Sequence, residues 1–373
     1  AMFTDFAVRL FQKNMQQQVS SEKDAENMLV SPISVLMALS MTANGAKGDT
    51  LEQMEHTLGM SVENLNEYAK DYLRKLPSEK NYKFTMANSI WFRDEENRLT
   101  VNADFLTKNK AYYHADVYES VFDATTVKDI NSWIAENTDG LITKMLDEIP
   151  LDAVMYLINT CMFDAKWQEE YNTSDIWEGD FYCADGTSQQ VDMMHSDENY
   201  YLEDKNATGF IKYYEDEKYA FVTLLPNKDV TLSEYVSSLT GEHLQEMLTN
   251  PTKTIVHATM PKFETEYQIE LRKILKEMGM TDAFDISKAD LSGIGTSTRG
   301  NLFVSSVLHK SFITVDELGT KAGAATVVEV MNECAPLEDM SKTVVLERPF
   351  LYMIVDCEYY QPLFMGTVEY IKP

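Results

Sequence analysis

Residues 316–330 read DELGTKAGAATVVEV, and their composition changes along the segment. The segment begins with turn-forming residues, continues with very small residues and ends with β-branched ones. From Thr320 onward every second side chain is small or apolar: Thr320, Ala322, Ala324, Thr326, Val328 and Val330. The intervening positions include Lys321 and Glu329. Because the side chains of a strand alternate between its faces, this segment is able to form a strand with one buried face.

An exposed loop is predicted directly after this segment. Residues 331–342 contain Asn, Glu, Asp, Pro and Ser, which favour turns and surface loops. A strand-forming run joined to an exposed loop is typical of a segment that can change its conformation. An edge strand that leads into a loop has the same composition, so composition leaves both interpretations open.

The whole chain has the composition of a globular protein with a large core. Its 373 residues are 44% hydrophobic and 25% charged, and they contain no uninterrupted apolar run of transmembrane length. Acidic residues outnumber basic ones by 60 to 32, which gives a net charge of -28. Nucleic acid and anionic membranes bind proteins through Lys and Arg, so we expect neither as a partner.

The cysteines and the beginning of the chain give little information on the cellular compartment. Cys161, Cys183, Cys334 and Cys357 are too few and too widely spaced for a disulfide framework. The chain starts on a helical pattern and shows no signal peptide, so we expect that an export signal has been removed or was never present.

The common sequence motifs of enzymes are missing. The chain contains no HExxH, no GxGxxG that opens a helix, no GxxxxGK[ST] and no GxSxG. Its six histidines have no short metal-ligand spacing. A Ser–His triad has no local signature and stays open as an alternative. We therefore expect a protein that is not an enzyme and binds no metal or cofactor.

Apolar periodicity predicts helices mainly in the first third of the chain and strands mainly in the rest. Helices are predicted near residues 3–11, 33–41, 129–136 and 271–278. Strands are predicted at residues 84–92, 154–163, 219–225, 255–260, 350–355 and 363–370. This mixture indicates the α+β class with large, mostly antiparallel sheets. No linker rich in Pro, Gly or Ser divides the chain, so a single domain is predicted.

Several motifs resemble the serpin family, in the same order along the chain. The family's N-x-x-x-S-P-x-S pattern, at the start of its buried second helix, is matched by Asn27, Ser31, Pro32 and Ser34. Further matches are FTMANSIWF at 84–92, INT at 158–160, MPKF at 260–263 and FMGTV at 364–368. Residues 307–320, VLHKSFITVDELGT, closely resemble the approach to the family's hinge. The resemblance covers essentially the whole chain.

The resemblance implies the serpin fold, which is α+β with a large central, mostly antiparallel β-sheet, further sheets and about eight or nine helices. Residues 1–373 would form one serpin domain, with the hinge and an exposed reactive-centre loop at 317–349. The implied function is suicide inhibition of a serine protease, in which the cleaved loop inserts into the central sheet. The alternative is a non-inhibitory serpin that acts as a chaperone, carrier or storage protein.

The implied partner is a serine or cysteine protease, held in a covalent 1:1 complex by a monomeric inhibitor. Residues 62–83 carry lysines together with several acids and lack a concentrated basic patch. We therefore expect no heparin-type activator. A secreted protein with an extracellular or cell-surface location is expected.

The resemblance also implies individual roles in the hinge and the loop. The hinge residues are Glu317, Gly319, Thr320, Ala322, Gly323, Ala324, Ala325 and Thr326. Counting from the hinge as the family does places the scissile bond between Glu333 and Cys334. The loop is longer than in many members, so Met331–Asn332 and Cys334–Ala335 are neighbouring candidates.

The residues at these bonds indicate different proteases. Glu333 favours a glutamate-specific protease, whereas the neighbouring bonds favour an elastase-like one. Cys334, on an exposed loop, is expected to make inhibition sensitive to oxidation.

Two further sets of residues correspond to positions that control the sheet in the family. The shutter, a buried polar cluster where the sheet opens, corresponds to Ser31, Ser34, Asn159 and His309. Each would otherwise be an ordinary hydrogen-bonded core residue. The breach, at the top of the sheet, corresponds to Trp167 and Lys262, and the resemblance implies that Lys262 pairs with Glu317.

Overall fold

The computed structural model describes residues 2–21, 25–94, 98–320 and 340–373. These residues contain nine α-helices: α1 (Met2–Ser20), α2 (Pro32–Ala43), α3 (Gly48–Leu58), α4 (Val62–Arg74), α5 (Ala103–Tyr113), α6 (Ala124–Asn137), α7 (Leu232–Ser238), α8 (Gly241–Thr249) and α9 (Arg272–Glu277). Helix α2 starts on a proline, whose missing N–H is tolerated in the first turn. At the start of α6 the Asp123 carboxylate accepts hydrogen bonds from two backbone N–H groups. None of the helices in these residues is long and apolar enough to span a membrane.

The same residues form 17 strands. They are β1 (Leu29–Val30), β2 (Tyr82–Arg93), β3 (Thr100–Val101), β4 (Asp116–Ser120), β5 (Met155–Lys166), β6 (Ile176–Tyr182), β7 (Ser188–Glu203), β8 (Ala207–Tyr213), β9 (Tyr219–Pro226), β10 (Thr252–Pro261), β11 (Phe263–Glu270), β12 (Gly295–Thr296), β13 (Leu308–Val315), β14 (Gly319–Thr320), β15 (Lys342–Val345), β16 (Phe350–Asp356) and β17 (Pro362–Val368). The predicted α+β class with mostly antiparallel sheets is confirmed.

One sheet is continuous and holds nine strands. Its order is β1-β17-β16-β9-β8-β7-β10-β15, with β6 paired to β7. Strands β9 and β17 are buried along their whole length, because both of their faces are covered by other parts of the core. We call this unit the nine-stranded sheet.

The second large sheet consists of two pieces, and we call it the split sheet. One piece has the order β14-β5-β2-β4 and the other is the antiparallel pair β11-β13. In the described part of the chain no backbone pairing joins β5 to β13. The two pieces come together where β13 ends and the chain turns into β14.

Two helices cover the faces of the split sheet. Helix α2, whose body is almost entirely buried, packs against β5 and β17. Helix α6 lies on the other side of β5 and forms a small hydrophobic core with the strands, made of Trp91, Phe122, Ile130, Trp133 and Ile134. The sheet is therefore enclosed between a buried helix and a helix that crosses its outer face.

Candidate functional site

Residues 316–319, which we call the hinge turn, reverse the chain between β13 and β14. The Asp316 carboxylate accepts hydrogen bonds from the N–H groups of Leu318 at 2.9 Å and Gly319 at 3.3 Å. The N–H of Asp316 in turn donates to the carbonyl of Gly319 at 3.1 Å. Gly319 has a φ of 142°, and a Cβ there would lie 2.4 Å from the carbonyl oxygen of Ala165. Only glycine fits this position.

The chain enters the split sheet immediately after the hinge turn. Gly319 pairs with Lys166 and Thr320 with Ala165, in antiparallel register with the end of β5. The first two residues after Leu318 thus already occupy the position of an added strand. The remaining expected hinge residues lie outside the described residues: Ala322, Gly323, Ala324, Ala325 and Thr326. The same holds for the candidate scissile residues Met331, Asn332, Glu333, Cys334 and Ala335.

The segment that follows β5 holds the hinge turn through three hydrogen bonds. Trp167 donates its backbone N–H to the Leu318 carbonyl at 3.0 Å and its indole Nε1–H to the Asp316 carbonyl at 2.8 Å. Tyr171 donates its N–H to the Glu317 carbonyl at 3.0 Å. The Trp167 side chain is only 1% exposed and stacks on Tyr214 with ring centroids 4.6 Å apart. The stacking fixes the indole ring in place, and its buried N–H has the hydrogen-bond partner that such a group needs.

An ion pair closes the hinge turn on the solvent side. Lys262 Nζ lies 2.6 Å from Glu317 Oε2, and each side chain is about a third exposed. The hydrogen bond from Lys262 lowers the pKa of the Glu317 carboxyl. Because solvent screens the pair, we expect it to contribute only ~0–1 kcal/mol.

The four residues expected at the shutter fall into two hydrogen-bonded sets. In the first set Ser34 Oγ donates to Asn159 Oδ1 at 2.6 Å, and Asn159 Nδ2 donates to Asn88 Oδ1 at 2.7 Å. In the second set the N–H of Ser31 donates to His309 Nε2 at 3.0 Å. No hydrogen bond between Asn159 and His309 is present in the described structure. The start of α2 therefore bridges the two pieces of the split sheet, because Ser34 binds Asn159 on β5 and Ser31 binds His309 on β13.

His309 is held as a neutral hydrogen-bond acceptor. Its ring is 7% exposed, and burial lowers its pKa to about 4. Nε2 accepts from the Ser31 N–H and also lies 2.9 Å from Ser311 Oγ, so the ring proton of the neutral form is on Nδ1. A group of this kind fixes strand β13 to the start of α2.

Sequence reasoning did not identify several residues of this site. Cys161 Sγ lies 3.2 Å from Ser31 Oγ, and burial raises the pKa of its thiol to about 11. Asn88 lies directly opposite Asn159 in the register of β2 and β5. Asn88 can therefore be assigned to this site only from the pairing of β2 with β5, and the periodicity of a single sequence does not predict this pairing.

The fold and site geometry agree with the comparisons to known proteins. A family model described as Serpin (serine protease inhibitor) matches residues 2–371. The chain belongs to the serpin family, whose members are mostly protease inhibitors, although some are not. Ipis-1 from Ixodes persulcatus is similar to this chain, with 32% identity over 98% of this chain and 97% of the relative.

Two solved structures of a thermophilic serpin, tengpin, are also similar. The native-state structure is 44% identical, has a TM-score of 0.91 and is matched over 99% of this chain and 93% of that chain. The latent-state structure is also 44% identical, with a TM-score of 0.86 and coverage of 99% and 97%. The overall arrangement is thus more similar to the native than to the latent structure.

Proposed function

We propose that this serpin is a suicide inhibitor of serine proteases, which traps its target by inserting its cleaved loop into the split sheet. The position of β14 carries the proposal. Gly319 and Thr320 already pair with the end of β5, and in the described residues no pairing closes β5 onto β13. An extended segment that continues from Thr320 therefore has a strand on each side with which to pair.

The proposed reaction joins the protease to the inhibitor before the sheet changes. The target's serine hydroxyl attacks the carbonyl carbon of Glu333, the Glu333–Cys334 peptide bond breaks, and the new α-amine of Cys334 takes up the proton. The ester then holds the protease at Glu333 while residues 320–333 extend β14. These residues span roughly 46 Å at ~3.3 Å per residue, which is enough to move a protease along a domain of this size.

The side chains of the inserting segment support this step. Its alternate residues from Thr320 to Val330 are small or apolar, as one buried face of an added strand requires. A charged or bulky residue at one of those positions would favour the chaperone, carrier or storage function, and the inward set contains none.

The target, the complex and the location belong to the same proposal. Glu333 favours a glutamate-specific protease, and the neighbouring candidate bonds favour an elastase-like one. We expect a monomeric inhibitor that forms a covalent 1:1 complex without a heparin-type activator. Serpins are mostly extracellular, which supports a secreted or cell-surface site of action.

A panel of proteases tests the proposal directly. The chain is incubated with elastase-like, glutamate-specific and trypsin-like serine proteases and with a cysteine protease. We expect a 1:1 complex that survives SDS with at least one of them, and none when the protease active site is blocked. Mass spectrometry of the released C-terminal fragment locates the scissile bond.

The opposite outcome is equally specific. Cleavage in the loop by these proteases, with no complex and no large rise in melting temperature, would contradict inhibition. That result would support the carrier, chaperone or storage alternative.

A further inference from the structure

A buried ion pair lies behind the hinge turn, on strands of the nine-stranded sheet. Lys212 on β8 is 2% exposed, and its Nζ lies 3.1 Å from Oε2 of Glu198 on β7, which is 12% exposed. Ser196 Oγ donates a second hydrogen bond to the same carboxylate oxygen at 2.6 Å. Both charges are therefore removed from solvent and supplied with polar partners.

Stability alone does not account for such a pair. Removing two charges from water is expensive, and well-packed apolar residues of similar volume often give an equally stable protein. What a buried pair supplies is a fixed, directional geometry. The other contacts of Lys212 indicate which part of the molecule the ion pair holds in position.

Lys212 contacts the segment that holds the hinge turn. Its Nζ donates to the carbonyl of Glu169 at 3.1 Å and lies 4.4 Å from the ring centroid of Tyr171 and 5.3 Å from that of Trp167. Trp167 and Tyr171 are the two residues whose N–H groups bind the Leu318 and Glu317 carbonyls. Desolvated cation–π contacts of this kind are among the stronger ones.

The residues next to Lys212 on the chain bind the same segment. The carbonyl of Tyr213 accepts a hydrogen bond from the N–H of Gln168 at 3.0 Å, and Tyr214 forms a β-bridge with Trp167. Residues 167–171 are thus attached to the end of β8 on one side and to the hinge turn on the other. Among these described contacts, Lys212 is the one residue that brings a buried positive charge.

We propose that Lys212, held by Glu198, is a positioning residue for loop insertion. It fixes residues 167–171 against β8, so that the hinge turn keeps β14 aligned with the end of β5. Lys212 acts through the Glu169 backbone and the two aromatic rings and does not contact the hinge turn itself. The proposal rests on the inhibitory function proposed above and adds the residue that sets how efficiently insertion begins.

Two variants separate positioning from simple stability. Lys212→Met leaves Glu198 buried without its cation, so this single variant is expected to be destabilised. The double variant Lys212→Met/Glu198→Gln removes both charges at nearly constant volume and should keep the wild-type urea midpoint. Lys253→Met, at an exposed lysine of β10, is the matched control.

The first readout is the partition between trapping and release of the protease. In the double variant we expect the number of inhibitor molecules cleaved per protease trapped to rise about tenfold, the order of change that loss of one desolvated contact produces in a rate. Affinity for a protease whose catalytic serine is replaced by alanine should stay unchanged, because the loop that meets the protease is not altered. Wild-type trapping in a stably folded double variant would overturn the proposal.

The second readout needs no target protease. Amide hydrogen exchange in peptides covering residues 166–172 and 308–320 should be about tenfold faster in the double variant, whereas exchange in β16 and β17 should not change. Unchanged exchange near the hinge turn would also overturn the proposal. If the wild-type chain traps no protease, the inhibitory function fails, while the exchange experiment still decides whether Lys212 positions the hinge turn.

Discussion

The nine-stranded sheet and the split sheet are stabilised in different ways. Strands β9, β16 and β17 are buried almost completely and hydrogen-bonded to neighbours along their length. Strand β5, in the split sheet, is mostly half-buried, and in the described structure its pairing on the side away from β2 is limited to the two residues of β14. Apolar burial therefore stabilises the first sheet, whereas a few polar side chains on α2 hold the pieces of the second. This difference in packing fits the proposal that the split sheet accepts an added strand.

The largest expected effect comes from blocking an added strand in the split sheet. Thr320→Arg places a charge at a position whose alternation requires a buried side chain, at a cost of several kcal/mol in the inserted state. We expect the variant to be cleaved without forming an SDS-stable complex, as measured by gel densitometry after protease addition. Lys321→Arg, at the adjacent position of opposite alternation, is the control and should retain wild-type complex yield. Equal yields for both variants would rule out alternation as the basis of insertion.

A pair of cavity variants compares the two sheets directly. Leu351→Ala removes a fully buried side chain from β16 and should lower the free energy of unfolding by about 2–5 kcal/mol. Leu157→Ala, at a half-buried position of β5, should lower it by about 1 kcal/mol. Urea unfolding measures both variants. A larger loss at Leu157 than at Leu351 would mean that the split sheet is the better packed one.

Acidification should weaken the contact between β13 and α2. The pKa of His309 is about 4 in the folded chain and 6.5 when unperturbed, so the unfolded state binds more protons between these values. The stabilisation is complete above pH 6.5 and is lost as the pH falls toward 4, in total by about 3 kcal/mol. Unfolding free energies across this range should show a flatter slope for His309→Gln. His56→Gln, at an exposed histidine, is the control for the loss of an imidazole.

The smallest effect is expected for the ion pair on the surface of the hinge turn. A double-mutant cycle of Lys262→Met and Glu317→Gln should give a coupling of ~0–1 kcal/mol. The pKa of Glu317 is lowered in the folded state, so this contribution is present above the ordinary carboxyl pKa and is lost as the pH falls. A much larger coupling would mean that the hinge turn is shielded from solvent screening.

Local sequence patterns predicted the regular, apolar parts of the molecule. The six predicted strands correspond to β2, β5, β9, β10, β16 and β17, because runs of β-branched and aromatic residues mark strands that lie in a core. Strand β7, with 16 residues, was missed because its sequence SQQVDMMHSDENYYLE has no consistent alternation. Strand β11 was missed although its burial alternates along its whole length and a count of period-2 matches could have found it.

Sequence patterns predicted the part of the site that residues close in sequence define, whereas the Lys262–Glu317 pair was expected only from the family resemblance. The alternation after Thr320 and the glycine of the hinge turn are local features. Asn88 and Asn159, by contrast, become neighbours only through the register of β2 and β5. Lys212 and Glu198 become neighbours only because two further strands pair, and the other contacts of Lys212 depend on the path of residues 167–171. The partner of a buried lysine therefore cannot be predicted from sequence spacing alone.

The contacts of Ser31 have a consequence for synthesis of the chain. Ser31 Oγ donates to the Leu363 carbonyl, and β1 pairs with β17, so an early part of the chain is completed by its last strand. On the ribosome, α2 is made long before these partners exist. The proposed reactive loop is also made before β16 and β17, at a stage when α2 still lacks its contacts with β17. The contacts of α2 and β1 with β17 therefore form only once β17 has been made, and contacts of such high sequence separation are slow to form.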